Sequence, residues 1–218
     1  MSDAAQSFGR IQTYGRRRCR KIEENDQRIL QEVSENHSVR SWEDCVARNY
    51  DSWCLEIGFG SADSLIANAQ AASCVGFIGI EPFENAVVSL AKKIKTLNLS
   101  NVYFFMGDVR DFLPSCADGA FQKVYMFFPD PWPKHKHRKR RLLSADFWCD
   151  LRRVIANEFY FASDDQGYCD DVLHILYADP AMRHLHVTNR EPAWFIGSRY
   201  HRKACEAGRL CTYIEWNR

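Results

Sequence analysis

Long apolar segments are missing from this 218-residue chain. No run approaches the length of about 18 to 20 apolar residues that a membrane-spanning helix requires. No apolar segment follows the N-terminus either. The sequence therefore predicts neither a membrane span nor a signal peptide.

Paired cysteine motifs are also missing. The nine cysteines include no Cys-x-x-Cys pair, and no Cys/His pair has the spacing of a zinc finger. Cys54 and Cys74 lie inside apolar runs, where a reduced thiol behaves as a small apolar side chain. These features favour a protein of the reducing cytoplasm and predict no metal site.

A strong net charge is the third absence. The chain has 29 Lys and Arg against 28 Asp and Glu, so its net charge is +1 and no overall field attracts polyanions. Positive charge is concentrated instead within residues 10–21 and from Lys134 to Arg141. A single charge run is commonly a solvated face. Two runs near one expected site favour an anionic partner.

Segments typical of strands and helices alternate along the chain. Strands are predicted at 52–58, 75–81, 101–108, 121–130, 158–165, 184–188 and 211–216. Helices are predicted at 23–35, 61–72, 83–99, 144–156 and 168–179. This alternation predicts an α/β fold with a parallel, doubly wound sheet. We expect residues 1–22 to form a basic, flexible arm and residues 23–218 to form a single domain.

A glycine-containing loop follows the first predicted strand. The segment LEIGFGSAD places Gly58 and Gly60 between a strand and the start of a helix, where a ligand can approach the backbone closely. A dinucleotide fingerprint would have a third glycine at position 63, and Asp63 occupies that position. The loop therefore disfavours NAD.

Acidic residues occur near the ends of three successive predicted strands. Glu56 precedes the glycines, Glu81 ends the second strand and Asp108 ends the third. The carboxylate of Glu81 could accept both hydroxyls of a ribose, and Asp108 could face an adenine edge. The pattern favours a nucleoside cofactor along the carboxyl edge of the sheet. Helix N-capping by these acids is the alternative.

The fourth predicted strand ends in the segment FFPDPWPKHKHRKRRLL, residues 127–143. Its three alternating prolines fix the backbone and exclude a helix between them. We expect this stiff turn to present Asp130 and Trp132 outward, with Trp132 as a surface on which a base can stack. The basic run that follows, from Lys134, can hold phosphates nearby.

This segment resembles the signature of the bacterial tRNA (guanine-N7-)-methyltransferases of the TrmB type, which are class I S-adenosylmethionine-dependent enzymes. TYGRRRCRK at 13–21 and SRYHRKACEAG at 198–208 resemble further family segments. The resemblance implies a seven-stranded, Rossmann-like sheet and methyl transfer from S-adenosylmethionine to N7 of a variable-loop guanine in tRNA. It implies Asp130 as the catalytic residue.

The resemblance also implies contact residues. The cofactor contacts are Glu56, Gly58, Gly60, Glu81, Asp108 and Asp130. The substrate contacts are Lys134, Asp164, Ser198, Tyr200 and His201. The two basic clusters add Arg16, Arg17, Arg18, Arg138, Arg140 and Arg141 as candidate contacts to the RNA backbone.

One position departs from the family pattern. His201 stands where the family has Glu, which is expected to accept hydrogen bonds from the N1–H and amino groups of guanine. A neutral His accepts only one hydrogen bond. Glu191, in the segment Thr188–Glu191, offers another carboxylate. It ranks second because the Lys-Ala and Gly spacing does not follow it.

Three rival interpretations remain. Asp130-Pro131-Trp132 resembles the loop of N-methyltransferases that act on other bases, but it lacks their second adjacent proline. The change at His201 is compatible with a non-catalytic RNA-binding protein on a methyltransferase fold. A metal enzyme is disfavoured, because charge crowding or strand alternation explains the alternating histidines at 135, 137, 184 and 186. Both a monomer and a homodimer fit the sequence.

Overall fold

Seven strands form one sheet in the computed structural model, which describes residues 21–218. The strands are β1 Ser52–Ile57, β2 Val75–Ile80, β3 Val102–Phe105, β4 Phe121–Phe127, β5 Ile155–Ser163, β6 His184–Thr188 and β7 Thr212–Asn217. Their order is β3-β2-β1-β4-β5-β7-β6. Neighbours from β3 to β5 pair in parallel, whereas β7 runs antiparallel to both β5 and β6. The predicted mostly parallel, doubly wound sheet is confirmed.

Helices connect the strands. They are α1 Glu24–His37, α2 Glu43–Val46, α3 Asp63–Ala71, α4 Glu84–Leu97, α5 Val109–Phe112, α6 Ala145–Val154, α7 Gln166–Tyr177 and α8 Arg199–Glu206. The five helices predicted from sequence correspond to α1, α3, α4, α6 and α7. The two short helices α2 and α5, and the terminal helix α8, were not predicted.

Apolar side chains cover both faces of the sheet. Cys54 and Leu55 are neighbours on β1, so they point to opposite faces. Leu55 packs in a core cluster with Val124 of β4 and Leu151 of α6. Cys54 packs in a second cluster with Leu90 of α4. Burial on both faces explains why the central strands are nearly continuous apolar runs.

The strand order reverses at β1. The chain proceeds from β1 through β2 to β3 on one side, and then crosses to β4 and β5 on the other. Ligands of open α/β sheets bind outside the carboxyl ends of the strands at such a switch point. The loops after β1, β2 and β4 therefore form the candidate ligand-binding edge of the sheet. Among residues 21–218, no helix has the length and apolar character that would let it cross a bilayer.

Candidate active site

The loop after β1 is held in left-handed backbone geometry. Gly58 has φ of +71°, Gly60 has +49° and Ala62 has +58°. Phe59 folds back onto β2 because Gly79 has no side chain; a Cβ added there would lie 2.5 Å from Phe59 Cδ1. Helix α3 consequently begins at Asp63, two residues later than predicted.

Glu81 fastens this loop to the end of β2. Its Oε2 accepts the Gly60 N–H at 3.1 Å, and its Oε1 accepts the Phe83 N–H at 3.1 Å. Burial raises the pKa of Glu81, the two backbone donors act to lower it, and the charge of Asp130 raises it further. Glu81 and Asp130, predicted to share a site, are therefore near enough for the charge of Asp130 to contribute to the raised pKa of Glu81.

Glu56 is a buried acid beside the same loop. Only 4% of its surface is exposed, and its Oε2 has no hydrogen-bond partner among the described residues. Burial raises its pKa to about 8; the hydrogen bond with Ser64 acts against this, and the charges of Asp63 and Glu81 add to it. Burial therefore favours the protonated, neutral form of the Glu56 carboxyl, and a nearby positive charge would favour its ionised form.

Asp108, at the end of β3, is engaged locally. Its Oδ1 accepts the Arg110 N–H at 3.0 Å, which caps α5, and the Arg110 Nε–H at 2.8 Å. The capping alternative weighed for the acidic residues therefore describes Asp108. An adenine contact through this side chain stays a prediction.

Asp130 stands exposed at the turn that follows β4. Left-handed residues flank the turn, with φ of +49° at Phe128 and +44° at Trp132. The Phe128 N–H still donates to the Ala162 carbonyl of β5 at 2.7 Å. This hydrogen bond anchors the start of the turn to β5. Beyond it Asp130 is exposed to solvent, as expected from the stiff, proline-rich sequence.

The basic run forms a 3-10 helix, His135–Arg140, directly after this turn. The Arg140 guanidinium lies 4.9 Å from the Trp132 ring centroid, and the His137 ring meets the same indole edge-on at 6.0 Å. Lys134 is exposed, and 44% of the Arg138 side chain is exposed. The helix thus places cationic groups beside the tryptophan.

Arg141, in contrast, is a structural residue. Only 4% of its side chain is exposed. Its Nε donates to the Pro131 carbonyl at 2.7 Å, and its terminal nitrogens bind the Gly167 carbonyl at 2.7 Å and Asp165 Oδ1 at 3.1 Å. The sequence grouped Arg141 with the RNA-backbone contacts; its burial and internal hydrogen bonds give it a structural role, and an RNA contact through Arg141 stays a prediction.

The C-terminal motif forms α8. Ser198 caps this helix by accepting the His201 N–H at 3.1 Å. Tyr200 is exposed and faces the glycine loop after β1, because its Cε2 lies 3.9 Å from the position of a Cβ added at Gly60. The buried His201 ring lies 5.9 Å from that of Phe128, centroid to centroid. Ser198, Tyr200 and His201, which the sequence predicts as substrate contacts, thus lie on one helix beside the glycine loop and the turn after β4.

Two acidic residues beside α8 already have partners. Asp164 at the end of β5 accepts from Arg209 Nε at 2.6 Å. Glu191 Oε2 lies 3.6 Å from His201 Nε2. The second-ranked acid of the sequence analysis is therefore adjacent in space to the histidine that replaces the family Glu. The predicted contacts Arg16, Arg17 and Arg18 lie outside the described residues.

Sequence reasoning missed Lys93 of α4. Its Nζ donates to the Ser61 carbonyl and to Asp63 Oδ1, each at 2.6 Å. It thereby ties α4 to the glycine loop. Lys92 and Lys93 are adjacent in the chain, and nothing in the sequence distinguishes the one that reaches the loop.

A glycine loop fastened to a strand-end carboxylate, at the switch point of this sheet order, defines a class I, Rossmann-like methyltransferase domain. Solved structures agree on the fold. The 16S rRNA methyltransferase KamB has a TM-score of 0.58 at 10% identity, over 91% of this chain and 94% of that one. The cyclase SpnF has a TM-score of 0.54 at 13% identity, over 88% and 80%. At these identities the likeness concerns the fold alone.

Sequence relatives identify the family. Residues 51–212 match a family model described as "Putative methyltransferase". A tRNA (guanine-N(7)-)-methyltransferase of Rhodospirillum rubrum is 37% identical over 177 residues, covering 78% of this chain and 69% of that protein. Its counterpart from a Caulobacter species is 32% identical over 212 residues, covering 93% of each. This chain belongs to the tRNA (guanine-N(7)-)-methyltransferase family.

Proposed function

We propose that this protein transfers a methyl group from S-adenosylmethionine to N7 of a variable-loop guanine in tRNA. The observation that supports this most directly is the position of Asp130. Its exposed carboxylate stands beyond β4, between two residues with left-handed backbones, at the same edge of the sheet as Glu81, which follows β2.

The chemistry of the loop fits S-adenosylmethionine. Each oxygen of Glu81 accepts one backbone N–H, which leaves further lone pairs for the two hydroxyls of a ribose. No atom lies within 4 Å of a Cβ added at Gly58, so the backbone is open to a ligand there. The unpartnered oxygen of Glu56 suits a cationic group, since a nearby positive charge favours its ionised form.

The reaction needs little acid or base chemistry from the protein. Guanine N7 carries an in-plane lone pair and no proton, and S-adenosylmethionine supplies a methyl group that its sulfonium already activates. Orientation of the two reactants can contribute on the order of 7–11 kcal/mol to lowering the barrier. The carboxylate of Asp130 would stabilise the positive charge that develops on the purine as N7 is methylated.

The basic 3-10 helix would position the RNA. Lys134 and Arg138 are exposed, and both follow Asp130 closely in the chain. Contacts to phosphates fix the register of a nucleic acid without reading its bases. Cations on the segment that directly follows Asp130 would bring the RNA backbone and the target base to the site together.

The proposal is tested by incubating the protein with unmodified tRNA and S-adenosylmethionine labelled in its methyl group, followed by chain cleavage specific for N7-methylguanine. We expect label and cleavage to coincide at one guanine of the variable loop. A tRNA with adenine at that position is the matched control and should remain unlabelled. Label on another base or another atom would overturn the proposed reaction.

A further inference from the structure

Three possible metal ligands meet beside α8. His201 Nε2, Cys205 Sγ and Cys211 Sγ all lie within 4.8 Å of one another. The distance from His201 Nε2 to Cys205 Sγ is 3.3 Å. A tetrahedral zinc ion with bonds of about 2.0 Å to nitrogen and about 2.3 Å to sulfur separates two such ligands by roughly 3.5 Å. The spacing of this His–Cys pair is therefore close to that of a bound zinc ion.

The local fold explains how the three residues come together. His201 and Cys205 are four positions apart on α8, so they share one face of the helix. Gly208, with φ of +64°, then reverses the chain, and the Arg209 N–H donates to the Ala204 carbonyl at 2.9 Å. This reversal returns Cys211 to the same helix face immediately before β7.

Three protein ligands and one water molecule complete a tetrahedral zinc site. Glu191 Oε2 lies 3.6 Å from His201 Nε2, but it is not among the ligand atoms that all lie within 4.8 Å of one another. One imidazole and two thiolates form a donor set that suits zinc. We propose that His201, Cys205 and Cys211 bind one Zn²⁺ ion, with water as the fourth ligand.

The surroundings give the ion access and hold the ligands in place. Cys205 is exposed and provides the route of entry, whereas His201 and Cys211 are buried. Both thiols release their protons to solvent when the ion binds. Nε2 has one acceptor lone pair, so the ion takes the place of the Tyr213 hydroxyl, which lies 2.9 Å from it. Zinc binding and acceptance of a guanine hydrogen bond by His201 Nε2 thus exclude each other.

The sequence predicts no metal site, because these ligands do not have zinc-finger spacing. Two of them share a helix turn, and the third follows a chain reversal. Only the folded chain brings Cys211 back against α8. The proposal concerns binding and does not depend on the proposed methyl transfer.

The test uses the full-length, reduced protein after removal of metals with a chelator. Titration with Co²⁺, a spectroscopic substitute for zinc, should give one equivalent of tetrahedral visible bands together with a thiolate-to-cobalt band in the near ultraviolet. Added Zn²⁺ should abolish both. Cys205→Ser and Cys211→Ser should each weaken binding at least about 10- to 100-fold, the range that loss of even an outer partner of a metal ligand produces.

Cys149→Ser is the matched control, because Cys149 is an exposed thiol on α6, away from the cluster. It should bind Co²⁺ as the parent does. Circular dichroism would confirm that the exposed-site variant Cys205→Ser is folded. The proposal is overturned if the parent shows no thiolate-to-cobalt band, or if Cys205→Ser and Cys211→Ser both bind Co²⁺ with the affinity of the parent.

Discussion

At the scale of single residues, the position of Asp130 depends on a strained backbone. Phe128 and Trp132 both have positive φ, which costs non-glycine residues about 1–3 kcal/mol each. The surrounding contacts must offset this. Arg141 contributes by donating from Nε to the Pro131 carbonyl at 2.7 Å. Strain that the structure retains at one exposed acid is consistent with a functional role for that acid.

The substitution Asp130→Asn tests this role. It keeps the size of the side chain but removes the negative charge that would stabilise the methylated purine. We expect S-adenosylmethionine affinity to remain within a few fold and single-turnover methyl transfer to fall by roughly 10²-fold or more, the loss typical of a removed electrostatic contact. Equilibrium dialysis and rapid-quench kinetics would measure the two quantities.

Asp150→Asn provides the control, since Asp150 is an exposed aspartate on α6. It should leave both affinity and rate unchanged. Equal single-turnover rates for Asp130→Asn and the parent protein would contradict the assignment of Asp130.

At the scale of elements, the basic run divides into a structural part and an exposed part. Arg141 ties the proline-rich turn to α7, where it binds Asp165, the residue that caps that helix. Arg138, three residues earlier, has a side chain that is 44% exposed and lies 3.9 Å from Asp171. These two cations, three residues apart, therefore differ in burial: Arg141 is held inside the fold by hydrogen bonds, whereas Arg138 is accessible to solvent.

The pair of substitutions Arg141→Met and Arg138→Met should separate a structural role from an RNA contact. Arg141→Met leaves buried acceptors unpaired, so we expect it to lower the free energy of unfolding by roughly 3–5 kcal/mol. Arg138→Met should change it by less than about 0.5 kcal/mol. It should instead reduce the slope of log K against log salt for tRNA binding by up to about 0.7–0.9, the value for one phosphate contact.

Urea unfolding and tRNA titrations at several salt concentrations would measure both effects. The reverse pattern, a stable Arg141→Met protein with a reduced salt slope, would make Arg141 an RNA contact.

These elements also show which features the sequence could predict. The strands β1 to β5 were recognised because parallel strands buried on both faces are apolar runs. The sequence placed a last strand at 211–216, but not its position between β5 and β6, because strand order depends on contacts distant in the chain. Helix α8 was missed because its sequence, RYHRKACE, has few apolar residues and only Ser198 marks its start.

In the candidate site, the sequence predicts the residues that lie near strand ends but not those whose position depends on tertiary contacts. Glu81 follows the end of β2 directly and Asp130 lies three residues beyond the end of β4, so the fold class places them at one edge. The burial of Arg141 could not be predicted, because a charge run does not reveal which of its side chains turns inward. The proximity of Glu191 to His201 arises from β6, α8 and β7, whose mutual arrangement the sequence does not encode locally.

At the scale of the whole molecule, Glu56 links stability to pH. Burial raises its pKa to about 8 in the folded protein, from a usual value of 4.5. Between these values the folded state keeps the proton and the unfolded state releases it. The free energy of unfolding therefore falls as pH rises through this window, by up to about 1.4 kcal/mol per pH unit from this group.

Glu56→Gln removes this titration while it keeps a polar side chain of the same shape. Other groups titrate in both proteins, so the informative quantity is the difference in unfolding free energy between variant and parent. We expect Glu56→Gln to gain stability relative to the parent steadily from pH 5 to pH 8, as measured by urea unfolding in matched buffers. Glu35→Gln, which changes an exposed carboxylate on α1, should instead run parallel to the parent. A difference for Glu56→Gln that stays constant over this range would mean that the Glu56 carboxyl is already ionised in the folded protein, and that its buried position does not hold the proton.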